Sequence, residues 1–353
     1  MRQYLLLLAA SWLSSSFAQS SDDAIRIKLQ QLSDEHHVCA VAVAIVRHGR
    51  LEQTHLINGC RLATPLSKEN VFEAASLGKP LFAYAVLQLE KQGKIGLDIP
   101  LLSYLPEGYV HRQNPFDNAH PAKTDLVTDA QLEKVTARMV LSHTSGLPNW
   151  SKIPLHFESA PGQKWSYSGE GYLLLQRAVE TITGMPIDTV IKESLFKRVE
   201  MPYTSYAWDV GSGRHLIPSI KPDGTERHLK PFTASIVATT LYSNADDYGR
   251  FLAHVLVDKV ALDEISSFPV PVSEQLGLFW GLGWGIERNA EGLFIWHWGN
   301  NPGYRAFVMA SVQTGDGFVM FTNGDDGLQL AEPIAQVILP GEHKLFHFWM
   351  LHG

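Results

Sequence analysis

The chain has 353 residues, 45% hydrophobic and 18% charged, with 28 glycines and 19 prolines, the composition of a globular protein with room for a large core. Its formal net charge is −7 and its basic residues are scattered, which leaves no electrostatic footprint for nucleic acid. Beyond the first twenty residues no run reaches about eighteen uninterrupted apolar positions, so no integral membrane span is expected.

The N-terminal stretch carries Arg2, an apolar run from Tyr4 to Leu13, and small residues at Ser16 and Ala18. This pattern reads as a secretory signal peptide, residues 1–18, cleaved after Ala18, and predicts a secreted or periplasmic protein. Residues 22–37 have the spacing of an amphipathic helix, expected to lie on a hairpin whose strands run from Val38 to Val46 and from Leu51 to Ile57 about a turn at His48 and Gly49. That pairing brings Cys39 within a residue or two of Cys60. A disulfide, worth roughly 3 kcal/mol for a loop of this size, and a pair of buried thiols both satisfy it.

The stretch Val71 to Pro80 carries the first chemistry. An extended run turns into a helical one, Leu81 to Gln92, which Gly93 stops, and Ser76 and Lys79 sit one turn apart at the junction. A serine hydroxyl becomes a nucleophile when a neighbouring base takes its proton, and lysine can be that base when desolvation keeps its amine neutral. A helix entrance adds positive potential and backbone N–H groups for an oxyanion. The second Ser-x-x-Lys, Ser194 to Lys197, lies inside the helical run Asp188 to Arg198 with no turn before it and reads as a solvated helix face.

Further on come a loop from Pro106 to Thr128 and helical periods from Leu132 to Leu195, broken at Ser142 to Pro148 and at Ala160 to Gly162. A helix follows from Asp246 to Leu256, then strands at Gly283 to Glu287, Leu293 to Trp298, Tyr304 to Val312 and Gly317 to Thr322, and a last helix from Leu328 to Leu339. Strands at both ends with helices between them predict an α+β fold. An antiparallel sheet built from the N- and C-terminal segments (19–85 and 235–353) would carry flanking helices and an inserted, mainly helical domain (86–234). The 15 histidines are read as needing no metal to explain them, and neither metal nor other cofactor is expected.

Five ordered motifs carry a resemblance: Ser76-x-x-Lys79, the run 141–147 (LSHTSGL), the run 161–172 around Tyr167, the run 241–247, and the run 297–304 beginning His297-Trp298-Gly299. Together they resemble the serine β-lactamase-like superfamily, in the branch that holds class C β-lactamases, D-alanyl-D-alanine carboxypeptidases and family VIII esterases. The resemblance implies an exported serine hydrolase that works through an acyl-enzyme on an ester, amide or β-lactam bond in a small-molecule or peptidoglycan-like substrate. It implies Ser76 as nucleophile, Lys79 as the amine sharing its proton, and Tyr167 as a proton shuttle whose phenol pKa a nearby ammonium lowers. It also implies His297, Trp298 and Gly299 as a substrate-flanking strand, with the N–H groups of Ser76 and Asn300 as oxyanion hole. His143 reads as a structural residue of its turn. Two positions depart from the pattern: Gly169 replaces an asparagine that holds a substrate amide, and Trp298 a small hydroxyl residue. His297 stands where a permanent cation grips a carboxylate, and its binding of a carboxylate would be pH-dependent. The alternative from another class is a catalytically poor cell-wall or lactam-binding sensor with the same fold.

Overall fold

The structure, a computed structural model, describes residues 23–60, 65–116 and 121–352. The expected leader lies outside them.

Helix α1 (residues 23–35) precedes the hairpin β1 (Ala40–Arg47) and β2 (Arg50–Asn58). His48 and Gly49 both have positive φ, which gives the two-residue turn the twist that the strands require. A bulge between Ile45 and Val46 shifts the register by one, so Ala40 faces Asn58 and the Gly59 N–H reaches the Cys39 carbonyl. Cys60 thereby meets Cys39, and the two form a disulfide.

Next come β3 (Asn70–Ala75), α2 (Gly78–Lys91), the hairpin β4 (Val110–Arg112) and β5 (Thr124–Leu126), α3 (Ala137–Leu141) and α4 (Gly169–Thr183). α5 (Ile187–Ile191) passes through a π-helical turn into α6 (Lys197–Val199). Three short strands, β6 (His215–Leu216), β7 (Ser219–Ile220) and β8 (Glu226–Arg227), lead to β9 (Leu241–Ser243), α7 (Ala245–Val257) and α8 (Lys259–Ser267). The chain then runs through β10 (Val270–Ser273), β11 (Leu278–Trp280), β12 (Gly285–Asn289), β13 (Gly292–Asn301), β14 (Tyr304–Ser311) and β15 (Gly317–Thr322) to α9 (Ala331–Ile338).

β10 to β15 and then β1 and β2 form one antiparallel sheet, in which β1 pairs with β15. This is the mixed α+β architecture expected from the two groups of strands. Alternate residues of the strands face opposite sides. Val41, Val43, Trp296, Phe307 and Met320 lie under Leu29 and Leu32 of α1 and Ile334 and Ile338 of α9. Ala42, Ala44, Val308 and Phe321 lie against α2 and α7, in an apolar core that continues into Leu174 and Leu175 of α4. Because both faces of β1 are covered, its sequence is apolar almost throughout rather than alternating.

One feature was not expected. β3 stands outside the large sheet, in a three-stranded sheet between β6 and β9. It is packed against β13 so closely that a Cβ at Gly299 would lie 2.2 Å from the Ala74 carbonyl oxygen.

The disulfide closes a loop of 21 residues at the edge of the sheet. Replacing both Cys39 and Cys60 by serine is expected to lower stability by about 3 kcal/mol, read from urea unfolding followed by circular dichroism.

Candidate active site

Within residues 71–80 only Ser76 reaches the surface. Ala75, just before it, has φ of 50°, a region that alanine rarely enters, so the chain turns sharply from β3 and presents Ser76 ahead of α2. The turn is braced from behind. The Tyr248 hydroxyl donates to the Leu77 carbonyl at 3.0 Å, and the Tyr206 hydroxyl to the Gly78 carbonyl at 2.5 Å.

Lys79 lies in the first turn of α2 with its side chain wholly buried. Its Nζ donates to the Ala238 carbonyl at 2.6 Å and to Ser76 Oγ at 3.1 Å, and Ser76 Oγ donates to the same carbonyl at 3.2 Å. Among the described residues no carboxylate pairs with the amine, and burial pushes it well below the usual lysine range. Burial thus favours the form with a lone pair, within reach of a hydroxyl.

The Ala238 carbonyl is itself held from both sides. On one side Gln176 of α4 accepts from the Val237 N–H at 3.0 Å and donates to the Ser235 carbonyl at 2.9 Å. On the other, Asn301 accepts from the Thr239 hydroxyl at 3.1 Å and donates to buried Glu73 at 2.9 Å. A backbone carbonyl leaves no mark in a sequence, and neither it nor Glu73 and Thr239 was anticipated; Asn301 fell inside a quoted motif without a role.

Tyr167 joins this group. Lys79 Nζ lies 4.7 Å from the Tyr167 ring centre, and among the described residues the buried phenol oxygen has no partner in good hydrogen-bond geometry. The expected lowering of its pKa is not what the environment gives. Burial raises it, and the opposing influence of the nearby Ser76 hydroxyl is smaller. The same burial lowers the basicity of Lys79, the supposed ammonium, so Tyr167 is a neutral phenol beside an amine whose charge burial disfavours.

The strand β13 forms the next wall. His297 is fully buried and donates from Nδ1 to the Trp298 carbonyl at 2.9 Å, which leaves Nε2 as a lone-pair acceptor. Burial, reinforced by Lys79, drives its pKa down to about 3. The ring is thus uncharged across the physiological range, and the expected pH-dependent grip on a carboxylate does not arise from it. Trp298 is also buried, with its ring 5.2 Å from that of Tyr167. Asn300 is exposed near the strand's end, across from Arg305 of β14.

The glycine at 169 has a local cause. A Cβ there would lie 2.6 Å from both the Asn149 carbonyl oxygen and the Trp150 ring, so that ring occupies the space a side chain would need. Trp150 meets Phe116 with ring centres 4.8 Å apart, and Phe116 meets Phe232 at 6.2 Å. These aromatic rings join the segment after Tyr167 to the one before Ala238. By contrast Ser194 bonds the Val190 carbonyl, and exposed Lys197 bonds Glu193, far from such surroundings.

Residues 25–341 match the family described as Beta-lactamase. The chain is 25% identical over 329 residues to penicillin-binding protein 4* of Bacillus subtilis, covering 80% of this chain and 66% of that protein. It is 28% identical over 196 residues to the esterase EstB of Burkholderia gladioli, covering 46% of this chain and 45% of the esterase. The chain therefore spans less than two thirds of these relatives. Among solved structures, the D-alanine carboxypeptidase AmpC from Burkholderia cenocepacia superposes with a TM-score of 0.74 at 16% identity, over 91% of this chain and 100% of that one.

Lys79 also leaves a signature in stability. An unfolded lysine binds its proton below about 10.5, whereas the folded amine stays unprotonated until its lowered pKa is reached. In that window the unfolded state holds more protons, so stability falls as pH falls. Lys79→Met removes this dependence and is expected to melt higher than the parent, by a margin that widens in thermal scans as the pH is lowered from about 10.

Proposed function

The chain belongs to the β-lactamase family and is a serine hydrolase, and on that premise we propose that Ser76 is its acylated nucleophile, with Lys79 as base and Tyr167 as proton carrier. The observation that carries the proposal is the buried Lys79 amine 3.1 Å from the Ser76 hydroxyl, with a basicity that burial lowers. As Oγ attacks the substrate carbonyl carbon, its proton passes to the Lys79 lone pair. The N–H groups of Ser76 and Asn300 take up the oxyanion. When the tetrahedral intermediate collapses, Tyr167 gives its proton to the leaving group and is resupplied from the Lys79 ammonium. Water then attacks the acyl-enzyme by the reverse sequence and releases the acid. A phenol with a raised pKa suits this relay, because it is never left as a free phenolate.

On substrate, the site favours an ester or amide whose groups are apolar and uncharged. No cation is contributed by His297, and Trp298 fills the wall beside Tyr167. Trp150, Phe116 and Phe232 offer aromatic surface instead of a side-chain amide at Gly169. Among the activities in the names of its relatives, esterase agrees with these features better than penicillin binding. The Cys39–Cys60 bridge supports a place in an oxidising compartment outside the cytosol, and a mature N-terminus beginning just after Ala18 is expected on Edman sequencing.

Intact-mass spectrometry tests the centre of this reading. Brief exposure to a fluorophosphonate is expected to add one adduct at Ser76, with short-chain p-nitrophenyl esters turned over and a chromogenic cephalosporin turned over slowly. A parent protein that takes no adduct with any of the three, or Ser76→Ala with unchanged turnover, would sink it and bring back the sensor alternative.

The pH profile is a separate expectation. Activity toward the ester should fall on the acid side as Lys79 becomes protonated, and should hold level on the alkaline side up to at least pH 10, since Tyr167 does not ionise there. A stopped pH series of kcat with the p-nitrophenyl ester reads both limbs, and an alkaline decline near pH 8 to 9 without unfolding contradicts the neutral-phenol assignment.

A further inference from the structure

His143 is wholly buried and has φ of 56°, and its contacts converge on one neighbour. Its carbonyl accepts from the Ser166 N–H at 2.7 Å, and its ring Nδ1 accepts from the Ser168 N–H at 3.1 Å. These are the residues on either side of Tyr167. The imidazole itself lies on the Tyr167 ring, centre to centre 4.3 Å. The far side of the cluster is closed by Trp280, 5.1 Å from the imidazole and 5.9 Å from Tyr167, and by Tyr172 at 5.3 Å from the imidazole.

Because Nδ1 accepts, the ring proton sits on Nε2, and that N–H is buried without an acceptor among the described residues. Burial, together with Lys79 and His297, holds the ring's pKa well below the ordinary histidine range, so the tautomer does not change near neutral pH. An orphaned buried donor is unfavourable. A residue serving only to fill this space would be apolar, so what the imidazole supplies is the Nδ1 acceptor and a flat face for the phenol.

We infer that His143 is a positioning residue for proton delivery to the leaving group, acting through Tyr167, whose backbone it brackets and whose ring it faces. The inference rests on the reading of Tyr167 as proton carrier given above. A residue of this kind matters most where the leaving group needs a proton and least where it does not. An alkoxide must be protonated as it departs, whereas p-nitrophenolate departs without help, and fluoride leaves a fluorophosphonate without it as well.

The test compares an alkyl ester with a p-nitrophenyl ester of the same acid, in the parent and in two variants. His143→Phe keeps an aromatic face and loses the acceptor; His143→Asn keeps an acceptor for the Ser168 N–H. For His143→Phe, kcat for the alkyl ester is expected to fall at least about tenfold more than kcat for the p-nitrophenyl ester, with fluorophosphonate labelling of Ser76 within about threefold of the parent. His143→Asn is expected to bring the ratio of the two esters back to within about threefold of the parent value. Equal losses on both esters, or no loss, overturn the inference while normal labelling keeps Ser76 and Lys79 in place. A parent that is not labelled refutes the underlying reading instead. If the phenylalanine variant does not fold, nitrogen-15 spectra of the histidine rings in the parent decide: His143 neutral with its proton on Nε2 from pH 5 to 9 is expected, and a proton on Nδ1 overturns the inference.

Discussion

The site depends on keeping one amine dry. Among the described residues Lys79 is enclosed without a counter-charge, and the two groups that receive its hydrogen bonds are a backbone carbonyl and a serine hydroxyl. Protonated, it would be an unpaired buried cation, which proteins avoid by neutralising the group. Everything around it maintains that condition. β13 closes one side at Gly299, α4 anchors the Ala238 turn through Gln176, and Glu73 reaches the same turn through Asn301 and Thr239. Glu73 is itself buried, and its pKa is raised by burial against the hydrogen bonds from Asn301 and Tyr242. Its attachment to Asn301 ties the strand that delivers Ser76 to the end of β13.

The same dryness shapes what surrounds the hydroxyl. His143 and His297 are both neutral rings, fixed in opposite tautomers by one backbone partner each, and both owe part of their lowered basicity to the nearby lysine. Trp298, Trp280 and Trp150 add apolar surface, so hydrogen bonds here operate in a low dielectric and are strengthened by it. The outer support is more polar. His111 lies between Asp125 at 2.9 Å and Glu170 at 3.3 Å; burial opposes its charge, but the two carboxylates outweigh that and raise its pKa. This joins the β4–β5 hairpin to the first turn of α4, next to Gly169.

Much of this was legible in the residues. Local signals carried the hairpin, α2, α7 and the run of C-terminal strands, because each depends on its own periodicity and on turn residues such as His48 and Gly49. The juxtaposition of Ser76 and Lys79 followed from helical spacing. What escaped depends on contacts between distant segments. β3 reads as a simple extended lead-in, yet it pairs with β6 and β9 across more than a hundred residues. α8, β10 and β11 are short and left no clear pattern. The phenol's raised pKa and the neutrality of His297 are consequences of burial, which no motif encodes. Gly169 was visible as a departure, but its cause, the Trp150 ring lying over it, was not.

The pairing of β1 with β15 has a kinetic consequence. The Ala40 N–H bonds Asn323 across 283 positions, and between them lies almost the whole of the described chain. The apolar strand β1 therefore has no inner neighbour until the last strand of the sheet is available, and closing so long a loop is entropically costly. During synthesis the hairpin offers an unpaired edge of small and β-branched residues, the type of surface on which incomplete chains associate. In a protein built this way the sheet closes only when β15 arrives, which places its completion late in folding.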